Sequence, residues 1–263
     1  MTALLAAVFE PPTTKDFVFD CYFSFKIGSV EFCFNFVIAL VVVTTLLFLA
    51  LFYFGFRRAS VVPGRMQSLM ELGVGFVREQ IALPMLGHDA DRFLALLASL
   101  FFFILLGNLF EVAPWVNFSH NSRVAFPLVL AVISWVTYNW QGIRKHGFFG
   151  YLKFTTIIPA APAVLRYSLL MLIEFVSNIV VRPITLTVRL AANFLAGHFL
   201  LAIFFLGTEF FIKDGPKTWV LVGASFPLAV VLVLFEIFVS LLQAFIFAML
   251  TASYIGGVLA EEH

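Results

Sequence analysis

Long apolar runs alternate with short polar segments along this chain. The first run, residues 32–56, carries no charged residue, and a helix of that length can cross about 30 Å of hydrocarbon at a rise of about 1.5 Å per residue. Two further runs predict membrane spans at about 93–114 and 124–143. Two longer runs, 167–207 and 219–260, exceed the length needed to cross and predict long, tilted helices. We therefore predict an all-α polytopic membrane protein with about five transmembrane helices, the last two of which form a hairpin.

The polar segments define three regions. Residues 1–31 mix aromatic with charged residues and predict an extracytoplasmic N-terminal arm. The next region, 32–166, is predicted to be an N-terminal helical membrane region. Within it, residues 64–86 space their apolar positions helically between charged ones, which is typical of an interfacial amphipathic helix. The remainder, 167–263, is predicted to be a C-terminal helical hairpin that turns at the polar residues around Gly215.

Lysine and arginine residues are unevenly distributed among the connections. Nine of them lie in 57–92 and 144–166, against five in the N-terminal arm and in the two connections on the same predicted side. Because cytoplasmic loops carry the excess of basic residues in membrane proteins, this distribution predicts an external N-terminus and a cytoplasmic C-terminus.

The composition narrows the possible functions. Hydrophobic residues make up 62% of the chain and charged residues 12%, which is typical of a polytopic membrane protein. The net charge of +1 and the lack of a basic stripe argue against nucleic-acid binding. Cys21 and Cys33 show neither metal-ligand spacing nor a disulfide framework, so we expect incidental thiols. The N-terminus lacks the basic region and short apolar stretch of a removable signal peptide.

A permanent charge lies inside the first long run of the hairpin. Arg189 cannot lose its charge, and placing it in hydrocarbon costs about 2.5 kcal/mol or more. At about 100° per residue, Arg182, Thr185, Arg189 and Asn193 fall on one helix face, while His198 lies roughly opposite. Such an arginine either pairs with a carbonyl or carboxylate to lock a bundle, or it faces protein or water to perform a function.

The last apolar run carries a second polar face. Glu236, Ser240 and Gln243 follow one another at i, i+4 and i+7. When the hairpin is folded about its polar turn, Gln243 is level with Arg189. Glu236 is then level with His198, nearer the external turn. Because histidine and buried glutamate are suited to exchange protons, these levels predict a proton path that ends at a fixed positive charge. A neutral, hydrogen-bonding Glu236 is the alternative.

Two segments carry a family resemblance. They are Arg182-Pro-Ile-Thr-Leu-Thr-Val-Arg-Leu-Ala-Ala-Asn-Phe-Leu-Ala-Gly-His and Leu242-Gln-Ala-Phe-Ile-Phe-Ala-Met-Leu-Thr, and the chain ends in Glu-Glu-His. These segments resemble the subunit a family of F-type ATP synthases, closely so over roughly the last third of the chain. The number and order of the earlier spans agree, including Asn108-Leu-Phe-Glu111.

The resemblance implies a stator subunit of the membrane Fo sector. Arg189 would face a ring of c subunits, with Asn193 beside it and Gln243 near it on the last helix. In this family protons enter one half-channel, neutralise a carboxylate of the c ring, travel nearly a full turn, and leave by an offset half-channel. The arginine blocks the direct route, so that proton flow drives rotation coupled to ATP synthesis or hydrolysis.

The resemblance also assigns residues to the two half-channels. His198 and Glu236 would belong to the external one, with Ser240 on the same face and Glu111 and Asn108 at its mouth.

The inner half-channel is less defined by the sequence. Glu174, Asn178 and Arg182 are spaced i, i+4 and i+8 at the cytoplasmic end of the fifth helix. They would line a wet exit or form an interfacial charge pair, and the sequence leaves both open.

The resemblance further implies the partners and the location. The expected partners are the c ring, the peripheral-stalk b subunits, the rest of the ATP synthase and the lipid bilayer. No cofactor, metal or catalytic site of its own is expected, because the chain has no Gly-rich phosphate loop. The expected location is a bacterial plasma membrane, with the mitochondrial inner membrane as the alternative.

Two other classes of membrane protein fit less well. Secondary transporters commonly have duplicated halves and broken helices, and we find no such repeat. An intramembrane metalloprotease needs a His-Glu-x-x-His helix, which this sequence lacks.

Overall fold

The computed structural model consists almost entirely of helices. It describes residues 21–27, 30–57, 60–113, 116, 118–119, 121, 123–156, 171–213, 215 and 218–259. Its elements are β1 (Phe23–Ile27), β2 (Val30–Phe34), α1 (Phe36–Phe56), α2 (Arg65–Val77), α3 (Leu83–Leu86), α4 (Ala90–Val112), α5 (Ala125–His146), α6 (Phe148–Thr156), α7 (Met171–Val176), α8 (Arg182–Lys213) and α9 (Trp219–Leu259). The predicted all-α membrane class is confirmed.

A small β-hairpin precedes the first helix. Strands β1 and β2 pair antiparallel, and a disulfide joins Cys21 to Cys33, whose Cα atoms lie 5.5 Å apart. Our expectation of incidental thiols was therefore wrong: the pairing register, which spacing alone does not give, brings the two cysteines together. The first predicted span also started too early. Helix α1 begins after the strand, where the Asn35 side chain accepts a hydrogen bond from the Ile38 amide.

Four helical segments of the described chain are long and apolar enough to cross a membrane. They are Phe36–Phe56, Arg65–Val112, Met171–Lys213 and Trp219–Leu259. Helix α5 corresponds to the predicted span 124–143 and is not among them; its second half carries polar side chains such as Asn139 and Gln141. The count of five spans stays a prediction. So does the boundary at residue 167, which lies outside the described residues, as does most of the N-terminal arm.

The residues predicted to form an amphipathic helix are helical but are not a separate unit, and their position at the membrane interface stays a prediction. A π turn, Arg78–Ala82, and a 3₁₀ turn, Gly87–Asp89, connect α2, α3 and α4 into one helical path. In the π turn the Leu83 amide bonds to the Arg78 carbonyl, and Pro84, which has no amide proton to donate, follows directly. The buried face of this path includes Met70, Val77 and Ile81.

The second half of α9 lies at the centre of the bundle. Ala244, Ala248 and Ala252 are fully buried, and small side chains at intervals of four residues let neighbouring membrane helices approach closely. Helices α4, α5 and α8 all pack against α9. A buried hydrogen bond of 2.9 Å from the Ser134 hydroxyl to the Thr251 hydroxyl ties α5 to α9. This packing holds the polar side chains described below in fixed positions.

Candidate functional site

A group of buried polar side chains lies at the C-terminal end of α4. Asn108 and Glu111 are each 2% exposed. The Asn121 side-chain amide donates a 2.7 Å hydrogen bond to Asn108 Oδ1, and the Asn121 backbone amide donates to the Ser119 hydroxyl. Asn121 and Ser119 were missed by the sequence analysis. They lie in a short connection where polar residues are usually solvated, and only the fold reveals that both are fully buried.

Glu236 lies where α8 and α9 cross. Its side chain is 3% exposed, and its carboxyl group packs directly on Gly197, where an added Cβ would overlap it. Helix α4, which carries the buried Glu111, also packs against α9.

His198 follows Gly197 and is half-buried. Its ring stacks on Phe194, with centroids 5.4 Å apart, and meets Phe118 edge-on at 5.9 Å. These aromatic contacts restrict the orientation of the imidazole. The residue before it, Gly197, is the one on which Glu236 packs.

Ser240 and Gln243 extend the polar face of α9 inward from Glu236, and both are buried. Together with the residues above they form what we term the polar column: Asn108, Glu111, Asn121, Glu236, Ser240 and Gln243. In the described part of the chain each member has one buried side-chain nitrogen or oxygen without a hydrogen-bond partner. Buried polar groups in native proteins are nearly always satisfied, commonly by ordered water, so unpaired atoms in this number are typical of a hydrated path.

Arg189 lies in a different environment. Its side chain is exposed, as are Thr185, Ala192 and Ala196 on the same side of α8, while Leu190 on the opposite side is buried. Among the described residues Arg189 makes no hydrogen bond or ion pair, so the bundle-locking interpretation has no support there. Asn193 is half-buried. The structure gives no hydrogen bond between Arg189 and the buried Gln243 within the described chain.

The group predicted for the inner half-channel is brought together only in part. A π turn, Ser177–Val181, separates Glu174 from Arg182 and alters the helical phase between them. Asn178 is buried. Its side-chain amide donates to the Thr155 backbone carbonyl at 3.1 Å, and its backbone carbonyl accepts from the Tyr138 hydroxyl at 2.8 Å.

The Arg182 guanidinium is held by aromatic rings. It lies 4.7 Å from the centroid of the Tyr254 ring and 6.0 Å from that of Tyr138. No ion pair with Glu174 is found in the described residues, so the charge-pair alternative is not formed there.

No group of three or more His, Cys, Asp or Glu side chains that could hold a metal ion is found among the described residues. The side chains of the polar column are carboxyl, amide and hydroxyl groups, which accept and donate protons and hydrogen bonds.

Comparisons with known proteins show the family of this chain. A family model described as the ATP synthase A chain matches residues 36–256. Proteins named ATP synthase subunit a are similar over nearly the whole chain. The one from Frankia alni is 40% identical, covering 97% of this chain and 88% of the relative. The one from Nocardioides sp. is 41% identical, covering 91% and 85%, and the one from Rhodococcus erythropolis is 38% identical, covering 100% and 95%. This chain belongs to the ATP synthase subunit a family.

Proposed function

We propose that this chain is the proton-conducting stator subunit of the ATP synthase membrane sector. Two offset half-channels carry protons to and from a carboxyl group on the c ring, and Arg189 separates them. The resulting rotation is coupled to ATP synthesis or hydrolysis on other subunits. The observation that carries this proposal is the contrast between an exposed Arg189, which has no ion pair within the described residues, and the buried polar column behind it on α9 and α4.

The polar column supplies the external half-channel. Asn108 and Glu111 form its mouth, and Glu236 and Ser240 continue it along α9. From Glu236 to Gln243 the helix rises roughly 10 Å at about 1.5 Å per residue, which short water chains can bridge. His198 lies beside this path.

Arg189 supplies the barrier. A guanidinium stays charged at any physiological pH, so it conducts no proton itself. An opposite charge a few ångströms away favours the ionised form of a carboxyl group, so a c-ring carboxyl that reaches Arg189 releases its proton. The exposed alanines beside Arg189, Ala192 and Ala196, permit the close approach that this encounter requires. Asn193 and Gln243 are assigned by the family resemblance to positions next to the arginine.

The inner half-channel is proposed to start near Asn178. Its side-chain oxygen is buried and without a hydrogen-bond partner in the described chain, whereas Arg182 is held by aromatic rings. Glu174, which is half-buried, would lie further along the exit. The c ring and the peripheral-stalk b subunits are the proposed partners.

The proposed location is a bacterial plasma membrane with an external N-terminus. Disulfides persist in oxidising compartments, so the disulfide between Cys21 and Cys33 supports an external hairpin. The distribution of basic residues favours the same orientation. The similar proteins named above come from bacteria, which favours this location over the mitochondrial inner membrane.

The test removes the fixed charge. We would compare inverted membrane vesicles that carry the parent chain, Arg189→Gln or the matched control Arg65→Gln, which loses an exposed arginine at the start of α2. ATP-driven acidification is followed with a pH-sensitive dye, and assembly with the c ring is checked by co-purification. We expect acidification by the parent and the control and none by Arg189→Gln. If both variants acidify normally, Arg189 has a structural role and the half-channel proposal falls with it.

A further inference from the structure

A cavity of about 790 Å³ lies at the opposite end of the bundle from the mouth of the polar column. It is lined by the start of α4 and by the C-terminal ends of α5 and α9. Arg92, in its wall, precedes Glu111 on the same helix by roughly 28 Å at about 1.5 Å per residue. The cavity is therefore separate from the proposed external half-channel.

The cavity is rich in positive charge. Arg92, Arg144 and Lys145 line it, and Asp89 is the one acidic residue of the described lining. The Asp89 carboxylate lies 3.4 Å from the exposed ring of His88. Within the described chain, neither Arg92 nor Arg144 forms an ion pair with a carboxylate.

Helix electrostatics explains only part of this cluster. Arg144 and Lys145 are in the last turn of α5, where a cation interacts favourably with the helix dipole. Arg92 is in the first turn of α4, which begins at Ala90, and a cation is unfavourable at that end. It donates a 3.0 Å hydrogen bond to the Gln141 side-chain oxygen, a neutral acceptor. The Arg92 guanidinium also lies 5.2 Å from the centroid of the Phe93 ring. Both partners are neutral, so no carboxylate of the described chain balances the charge of Arg92, whereas an anion bound in the cavity would balance it.

The surroundings favour a phospholipid as the source of that anion. Leu86 and Leu259 give the cavity apolar walls. Directly after α5, Phe148 is 63% and Phe149 83% exposed, and exposed Phe side chains next to basic residues are suited to contact the apolar boundary of a membrane. Basic pockets between membrane helices on the cytoplasmic side are suited to phospholipid head groups.

We propose that this cavity binds the phosphate group of an anionic phospholipid. The guanidinium groups of Arg92 and Arg144 donate hydrogen bonds to the phosphate oxygens, for which their planar geometry is well matched. Lys145, whose amino group donates to the Leu259 carbonyl, adds positive charge and links α5 to the end of α9. The bound lipid would join the ends of α4, α5 and α9 on this side of the membrane.

The experiment uses the full chain in its assembled complex, reconstituted in phosphatidylcholine nanodiscs. A trace of photoactivatable phosphatidylglycerol is added, or of photoactivatable phosphatidylcholine for comparison, and labelled peptides are mapped by mass spectrometry. We expect phosphatidylglycerol, and not phosphatidylcholine, to label the segments 85–92 and 141–149. Each cation near an anionic group contributes about fivefold to binding, so Arg92→Gln with Arg144→Gln should lower the labelling about 25-fold.

Matched variants separate a site from general charge. Arg65→Gln with Lys153→Gln removes two basic residues that lie outside the cavity lining and should leave the labelling unchanged. Arg92→Lys with Arg144→Lys keeps the charge and should retain most of it. Equal labelling in the two Gln pairs, or equal labelling by both lipids, overturns the proposal.

Two further arms test other occupants. If millimolar inorganic phosphate abolishes labelling of the parent, the cavity takes free phosphate and the lipid proposal is overturned. Glu261 and Glu262, which lie outside the described residues, follow the end of α9. If the parent is unlabelled and Glu261→Gln with Glu262→Gln is labelled, the chain's own acidic end fills the cavity, which also overturns the proposal. None of these outcomes depends on proton conduction.

Discussion

The contact between Gly197 and Glu236 makes a sharp prediction about the helix crossing. The Glu236 carboxyl group occupies the space that a Cβ at Gly197 would take, whereas a Cβ at Gly207, on the same helix, would meet no atom within 4 Å. Gly197→Ala therefore forces the carboxyl group to move. Gly207→Ala causes no such clash and changes only the helix propensity at its position. The two variants form a matched pair.

The expected difference can be worked out from two opposing effects. Alanine stabilises a helix interior relative to glycine by about 0.5–1 kcal/mol, and this gain applies at both positions. Overpacking of a filled site costs about 1–3 kcal/mol. This cost applies only at Gly197, and because the clashing atoms are the end of the flexible Glu236 side chain, we expect the lower end of that range. Gly207→Ala should thus raise the free energy of unfolding slightly, and Gly197→Ala should lie about 1 kcal/mol below it.

The functional effect is expected to follow the displaced carboxyl group. Each 1.4 kcal/mol needed to return the Glu236 carboxyl group to its original position lowers the population of the functional arrangement about tenfold. The assay combines thermal unfolding of the purified complex with the rate of ATP-driven acidification in inverted vesicles. Glu236→Asp, which shortens the side chain by one methylene, should partly rescue Gly197→Ala. Equal unfolding and equal acidification rates in the two alanine variants would refute the reasoning.

The remaining predictions concern single contacts elsewhere in the structure. Tyr138→Phe removes the 2.8 Å hydrogen bond to the Asn178 carbonyl and should lower the free energy of unfolding by about 1 kcal/mol or somewhat more, as measured by denaturation of the purified complex. Cys21→Ser should leave acidification unchanged and make its partner cysteine reactive to a membrane-impermeant thiol reagent added outside the cell; a lack of labelling would contradict the external hairpin. Asp91→Asn breaks an exposed ion pair with Arg78 and should change the unfolding free energy by less than about 1 kcal/mol.

The helices were predictable because the membrane leaves few choices. A chain in hydrocarbon must satisfy its backbone hydrogen bonds internally, so a long apolar run becomes a helix. Helices α1 and α9 follow their apolar runs to within a few residues at each end, whereas the run 167–207 contains α7, a π turn and α8, which ends only at Lys213. The disulfide between Cys21 and Cys33 was not predictable in this way, because it depends on the register of a short hairpin that no apolar pattern specifies.

The candidate site, too, could be predicted from the sequence only in part. Helical spacing alone showed that Glu236, Ser240 and Gln243 share a face. It did not show that Gly197 provides the surface on which Glu236 rests, since this depends on where two helices cross. Nor did it show that Asn121 reaches Asn108, since the two residues lie on either side of a turn. Local periodicity thus predicts which residues of one helix act together, and tertiary packing decides what they meet.

The different environments of Arg189 and Glu236 bear directly on the proposed mechanism. Both residues lie on the same pair of crossing helices, yet one is exposed and the other buried, and no ion pair joins them in the described chain. If the two formed an ion pair, their charges would neutralise each other, and neither would be available to interact with a protonated carboxyl group on a moving partner subunit. An unpaired arginine facing lipid costs about 2.5 kcal/mol or more, so a partner that brings a carboxylate to Arg189 is favoured over lipid. In the proposed mechanism, the proton that neutralises that carboxylate comes from the buried side, along the polar column.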